Sequence, residues 1–124
     1  MKVYKVLWTE AEGKLVSAIA VGSAQVSYRK DRFAQAPAFL RKEGYHLFAF
    51  RRLKDAKNFV VGYKEYKIFR AEAKGVTKRL PQPLCISYLG TGQCIPSFIS
   101  YPEGTIMCQK IKLLEEVIQN GKTY

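Results

Sequence analysis

The sequence has few of the side chains that enzymes use for catalysis. Its 124 residues contain a single histidine, two aspartates and eight glutamates. It contains no nucleophile elbow, no His-Glu-x-x-His pair and no Walker-type phosphate loop. We therefore expect a protein that is not an enzyme and that carries no cofactor.

Cysteines and long apolar runs are also scarce. Cys85, Cys94 and Cys108 stand singly, without the close pairs that hold structural zinc, so we predict no metal site. No apolar run reaches the roughly 18 residues of a membrane span. Residues 1–5 lack the apolar stretch of a signal peptide. Together these absences predict a cytoplasmic protein that is not a disulfide scaffold and has no membrane partner.

Charge is abundant and unevenly placed. The chain has 21 lysines and arginines against 10 acidic residues, which gives a net charge of +11. Residues 28–79 hold 15 of the basic and five of the acidic residues, and they include all seven arginines. A concentrated positive field favours a phosphate-bearing partner. The plain alternative is a solvated basic surface that only keeps the protein soluble.

The apolar pattern predicts a single α+β domain over residues 1–124, with an antiparallel-rich sheet and about two helices. The segment from Val3 to Trp8 is rich in β-branched and aromatic residues and predicts a strand, with Leu15 to Val21 as its hairpin partner. We interpret the basic segment 28–79 as a strand–helix–strand core. Its helix is expected from Leu53 to Val60, where apolar residues recur at helical spacing.

Two regions beside this core have other patterns. Residues 30–42 lack periodicity around Pro37 and are interpreted as a loop. Segment 80–105 is apolar and proline-rich, with Glu103 as its only charge. We interpret it as a hairpin or a pair of edge strands. A stretch this apolar belongs to the core or to a self-association surface, so we expect a homo-oligomer.

The C-terminal part predicts a helix over residues 106–120. Met107, Ile111 and Leu114 recur at helical spacing, and Gly121 follows as a possible C-terminal cap. A short helix that leads into a strand over residues 110–117 remains open as the alternative.

The central segment also supplies candidate ligand residues. A phosphorylated nucleotide needs guanidinium groups for its phosphates and an aromatic face for its base, and both types are interleaved there. A glycine pair further along could form a backbone nest for a phosphate, although a tight turn is the plain alternative. The predicted ligand-binding residues are Tyr28, Arg29, Arg51, Arg52, Arg70, Gly90 and Gly92.

One enzyme alternative fits the scarce acidic residues. An ADP-ribosyl transferase would place a glutamate on a strand to stabilise an oxocarbenium-like state, with a histidine or arginine on the dinucleotide. Glu72 and His46 are the available pair. Glu72 shares a strand face with Arg70, so a surface salt bridge is the simpler interpretation.

The order of several segments resembles that of a known family. The main features are Gly44 to Phe48 followed by Leu53 to Phe59. Further segments add to the resemblance, namely 4–7, 17–18, 67–72, 102–107 and 111–117. In these features the chain resembles short phage-encoded proteins of the first Thoeris anti-defence family. The resemblance implies an oligomer that sequesters cyclic ADP-ribose-type signals in the host cytoplasm without degrading them. It assigns no ligand residue to a position of this chain.

Three functional hypotheses stand at this point. The first is a homo-oligomer that sequesters a small anionic cyclic nucleotide without cleaving it. The alternative is a protein that binds single-stranded nucleic acid, since a basic, aromatic surface can follow a backbone and stack bases. The third is a phage factor that covers a host enzyme.

Overall fold

The computed structural model describes residues 1–9, 15–17, 26–61, 66–81 and 101–117. Within these residues the chain is mostly sheet, with seven strands and two short helices. The elements are β1 (Lys2–Thr9), β2 (Leu15–Ser17), β3 (Ser27–Tyr28), β4 (Phe33–Ala34), α1 (Ala38–Lys42), β5 (Leu47–Phe50), α2 (Leu53–Phe59), β6 (Tyr66–Thr77) and β7 (Thr105–Glu116).

The sheet closes into a barrel because four strands pair in a ring. β1 pairs with β6, β6 with β7 and β7 with β5, all antiparallel. β5 returns to β1 through the pair Tyr4 and Phe50. The short strands β2 and β3 continue the sheet beyond β1, and β4 pairs with β7. The predicted single antiparallel α+β domain is confirmed in this coarse form, with more sheet than the term suggests.

Alternation along the strands divides the apolar residues between two cores. In β1, Val3 and Leu7 face the barrel interior, whereas Val6 faces outward under α2. The inner core is the larger one, and its members come from all four strands of the ring. The outer core packs Ala56 and Val60 at the helix against Ile68 of β6. The predicted helix from Leu53 is confirmed because its apolar spacing matches this outer core.

The prediction of a C-terminal helix over residues 106–120 is wrong in the part that the structure describes. Residues 105–116 form strand β7, which pairs with β4, β5 and β6. Gln109 and Lys110 are both exposed, so the period-two alternation breaks in the middle of the strand. A register shift opposite Arg70 and Ala71 breaks it again. Because of these irregularities, apolar residues of β7 recur at the spacing that is typical of a helix.

The prediction of a loop over residues 30–42 is also wrong. Strand β4 and helix α1 both lie in this segment. Pro37 precedes the helix with φ −55° and ψ 150°, so its ring restricts Ala36, which is outside the helix. The predicted strand at Leu15 is confirmed for residues 15–17. The predicted hairpin within residues 84–99 lies outside the described residues.

Candidate functional site

The predicted ligand residues do not converge on one place. Tyr28 is in β3 and Arg29 follows it, whereas Arg51 and Arg52 connect β5 to α2. Arg70 is in β6, which is not a neighbour of β3 or β5 in the sheet. The remaining predicted residues, Gly90 and Gly92, lie outside the described residues. Among the described members of the set, the structure therefore brings together only chain neighbours, Tyr28 with Arg29 and Arg51 with Arg52.

Two of these arginines already have carboxylate partners. Arg52 donates from Nε to Asp55 Oδ2 at 3.1 Å, and Asp55 itself is buried. Arg70 donates to Glu115 across the β6–β7 pair at 2.9 Å, which raises the pKa of Arg70. Arg29 and Arg51 are exposed and have no ion pair with another described residue.

Tyr28 lies inside the protein and not on its outer surface. Its side chain is 4% exposed, and no described residue forms a hydrogen bond with its hydroxyl. The ammonium nitrogen of Lys5 lies 5.3 Å from the centre of its ring. Lys5 is also buried, and it donates to the carbonyl oxygen of Phe48 at 2.5 Å. Burial lowers the pKa of Lys5 to about 8.

Sequence reasoning missed Lys5 although its signal was present. Val3, Lys5 and Leu7 are two residues apart in β1, so alternation places all three side chains on the same face of the strand. A lysine between two inward-facing apolar residues is therefore expected to enter the core, where its aliphatic stem packs well but its charge does not.

The structure assembles a basic, aromatic patch that the predicted set did not include. Phe33 of β4 is opposite Lys112 of β7, and Lys74 of β6 is opposite Lys110 of β7. The ammonium nitrogens of Lys74 and Lys112 lie 4.5 Å and 5.0 Å from the centre of the Phe33 ring. We call Phe33, Lys74, Lys110 and Lys112 the basic face. Arg32, next to Phe33, is exposed beside it.

None of the lysines of the basic face has an ion pair with a described carboxylate. Lys74 and Lys110 are directly opposite each other, an arrangement that destabilises a sheet and is retained here without a carboxylate between them. Glu72, the cross-strand neighbour of Lys112, accepts a hydrogen bond from the Met1 amino group at 2.8 Å. That contact lowers the pKa of Glu72, and the nearby charges of Lys112 and Lys2 lower it further to a smaller extent. Its charge is therefore already paired with the chain terminus.

The pair considered for ADP-ribosyl transfer is not brought together by the ring of strands. Glu72 is in β6 and His46 directly precedes β5, and these strands are separated by β1 on one side and β7 on the other. The interpretation of Glu72 as a member of a surface salt bridge is confirmed, but its partner is the Met1 amino group, while Arg70 pairs with Glu115.

Comparisons with known proteins give no match. No family model matches the chain, and no curated protein or solved structure matches it either. None of the helices in the described ranges has the length and apolar character to cross a membrane. The part of the chain that is described also contains no group of three or more histidine, cysteine or acidic side chains that could hold a metal ion. A function therefore has to be inferred from the geometry above.

Proposed function

We propose that the protein binds single-stranded nucleic acid on the basic face and holds it without a chemical step. The observation that carries the proposal is the Phe33 ring, which is 36% exposed with two ammonium groups over it. An aromatic ring beside lysines is the arrangement with which proteins stack a base and neutralise the adjoining phosphates.

The ammonium groups of Lys74 and Lys112 have different partners in the free protein and in the protein with a bound strand. Without a ligand, Lys74 and Lys112 are attracted to the electrons of the Phe33 ring, an interaction of about 0.5–1 kcal/mol at an exposed site. A base that stacks on the ring takes their place. The ammonium groups then move to the phosphates on either side, where charge-assisted hydrogen bonds are stronger.

A single strand fits this surface better than a duplex does. A duplex keeps its bases stacked inside, where a side chain on the surface of a sheet does not reach their faces. A single strand can turn one base outward at low cost. Since stacking is available to every base, the binding is expected to depend little on sequence.

Fluorescence anisotropy of a labelled oligothymidylate tests the proposal. The wild type should bind it, and the logarithm of the association constant should fall linearly with the logarithm of the salt concentration, by about 0.7 per phosphate contact. Phe33→Leu removes the ring but keeps an apolar side chain, and it should weaken binding by about 1–3 kcal/mol. The double variant Lys74→Gln/Lys112→Gln should make the salt dependence shallower by about 1.4.

A matched control separates this surface from net charge. Lys54 and Lys57 are exposed on α2 and do not belong to the basic face. Lys54→Gln/Lys57→Gln removes the same two charges and should leave the affinity nearly unchanged. Equal losses in both double variants, or unchanged binding by Phe33→Leu, would contradict the proposal.

The sequestration of a cyclic ADP-ribose-type signal is the second candidate, and it is the function that the family resemblance implies. The observation in its favour is that Arg29 and Arg51 are exposed and unpaired among the described residues. Arg29 follows β3 and Arg51 follows β5, and β2 and β1 lie between these strands in the sheet, so a homo-oligomer in which a second copy supplies one of the two arginines would bring both to one ligand.

Native mass spectrometry of the purified protein distinguishes the two candidates. Sequestration predicts an oligomer that carries a nucleotide of defined mass, and heating should release that nucleotide intact. Arg29→Gln and Arg51→Gln should each lose it. A nucleotide-free monomer that binds oligothymidylate would exclude sequestration, whereas release of a cleaved product would contradict both candidates.

A further inference from the structure

The barrel interior contains a positive charge that has no counter-charge among the described residues. Among the described residues only Lys5 and Asp55 are charged and buried, with 8% and 5% exposure. Asp55 is paired with Arg52, whereas no carboxylate among the described residues pairs with Lys5. Lys5 faces the inner core from β1, and Asp55 is at α2, so the two do not compensate each other.

The hydrogen bonds of Lys5 are also incomplete. An ammonium group has three N–H donors. One of them reaches the Phe48 carbonyl oxygen, and within the described chain no other acceptor contacts the group. A buried charge that lacks partners is costly, so such groups usually have an acceptor from a side chain, a water or a ligand.

A second, independent feature lies beside Lys5. Tyr28 is buried at 4% exposure, and its hydroxyl has no hydrogen-bond partner in the described chain. The Lys5 nitrogen lies 5.3 Å from the centre of its ring, so the ammonium group lies against the ring and is not hydrogen-bonded to the hydroxyl. Two donor groups with unused N–H or O–H bonds, one of them charged, therefore lie in the same part of the interior without pairing with each other.

We infer that the barrel interior binds a small carboxylate anion, with the Lys5 ammonium as its counter-charge and the Tyr28 hydroxyl as a second donor. One ammonium group balances one negative charge, which favours a monoanion. The two carboxylate oxygens match the two kinds of donor. The core around the two donors is otherwise apolar, which favours a short-chain acid over a hydrated phosphate.

Thermal denaturation of the full chain tests this site. Wild type is compared in sodium acetate, sodium propionate, sodium phosphate and sodium chloride at equal ionic strength near neutral pH. Because a ligand that binds only the folded state raises its melting temperature, acetate and propionate should raise that temperature above the chloride value. Lys5→Met should show no difference between the salts. Tyr28→Phe should bind acetate about tenfold more weakly.

A second measurement follows the lysine itself. The NMR signal of the Lys5 Cε atom reports its protonation, and a bound carboxylate should move its titration to higher pH because an anion favours the charged form. Equal melting temperatures in all four salts, an equal acetate response in Lys5→Met, or an equal response to phosphate would each overturn the inference. Oligothymidylate binding on the basic face should persist in Lys5→Met whatever the result.

Discussion

Replacing Lys5 by methionine should stabilise the protein near neutral pH. The unbranched methionine side chain fills the space of the lysine stem in the inner core without its charge. Burial lowers the pKa of Lys5 from 10.5 to about 8, and each pKa unit corresponds to about 1.4 kcal/mol. The buried charge therefore costs about 3 kcal/mol near pH 7. Loss of the hydrogen bond to Phe48 costs about 1 kcal/mol. Lys5→Met should therefore raise the free energy of unfolding by about 2 kcal/mol in all.

The pH dependence of wild-type stability follows from the same shift. The folded-state pKa of Lys5 is below its unfolded value, so the penalty is complete below about pH 8 and disappears as the pH rises toward 10.5. Burial raises the pKa of Cys108 to about 11. This lowers the free energy of unfolding above about pH 9 and so opposes the effect of Lys5. The free energy of unfolding should therefore rise by about 1 kcal/mol between pH 7 and pH 9.

Urea denaturation followed by tryptophan fluorescence measures both effects. Trp8 is the only tryptophan, and its ring packs edge-on against Tyr66 with 5.3 Å between the ring centres, so its emission reports unfolding. Lys5→Met should unfold at higher urea concentration and lose the rise between pH 7 and pH 9. A destabilised Lys5→Met together with a wild-type stability that is flat in this range would refute the reasoning.

Two further predictions concern packing. Gly44 and Gly104 share a φ of +84°, but an added Cβ meets nothing at Gly44 and overlaps the Asp55 carboxylate at Gly104. Gly44→Ala should thus cost about 1 kcal/mol and Gly104→Ala at least about 2 kcal/mol more, and equal melting temperatures of the two variants would contradict this. The Cys108 thiol is fully buried with a raised pKa, so iodoacetamide should label it only after unfolding, as peptide mass spectrometry can show. Labelling at the same rate in the native protein would mean that the inner core opens.

The sequence predicted the elements whose pattern is uninterrupted. The strand from Val3 is rich in β-branched and aromatic residues, and the helix from Leu53 has apolar residues at helical spacing over two turns. Strand β7 was mistaken for a helix because Gln109 and Lys110 are exposed in succession and because its register shifts beside Arg70. The strands that pair with β7 determine its conformation. The spacing of apolar residues within one segment does not show which strands that segment will pair with.

The basic face was beyond sequence reasoning for a related reason. Its aromatic residue is in a two-residue strand, and its lysines come from β6 and β7, which are far apart along the chain. Only the register of Phe33 with Lys112 and of Lys74 with Lys110 brings them together. The charge count favoured residues 28–79, which contain Phe33 and Lys74 but not Lys110 and Lys112. It could not show that Arg70 is paired with Glu115.

Photochemical cross-linking of a bromouracil-containing single strand, followed by peptide mass spectrometry, tests the central claim most directly. A base that stacks on the exposed ring is in contact with it, so the main cross-linked peptide should contain Phe33, and the yield should fall with rising salt. Phe33→Leu should abolish that peptide. Cross-links confined to peptides that lack Phe33, with unchanged yield in Phe33→Leu, would contradict the account.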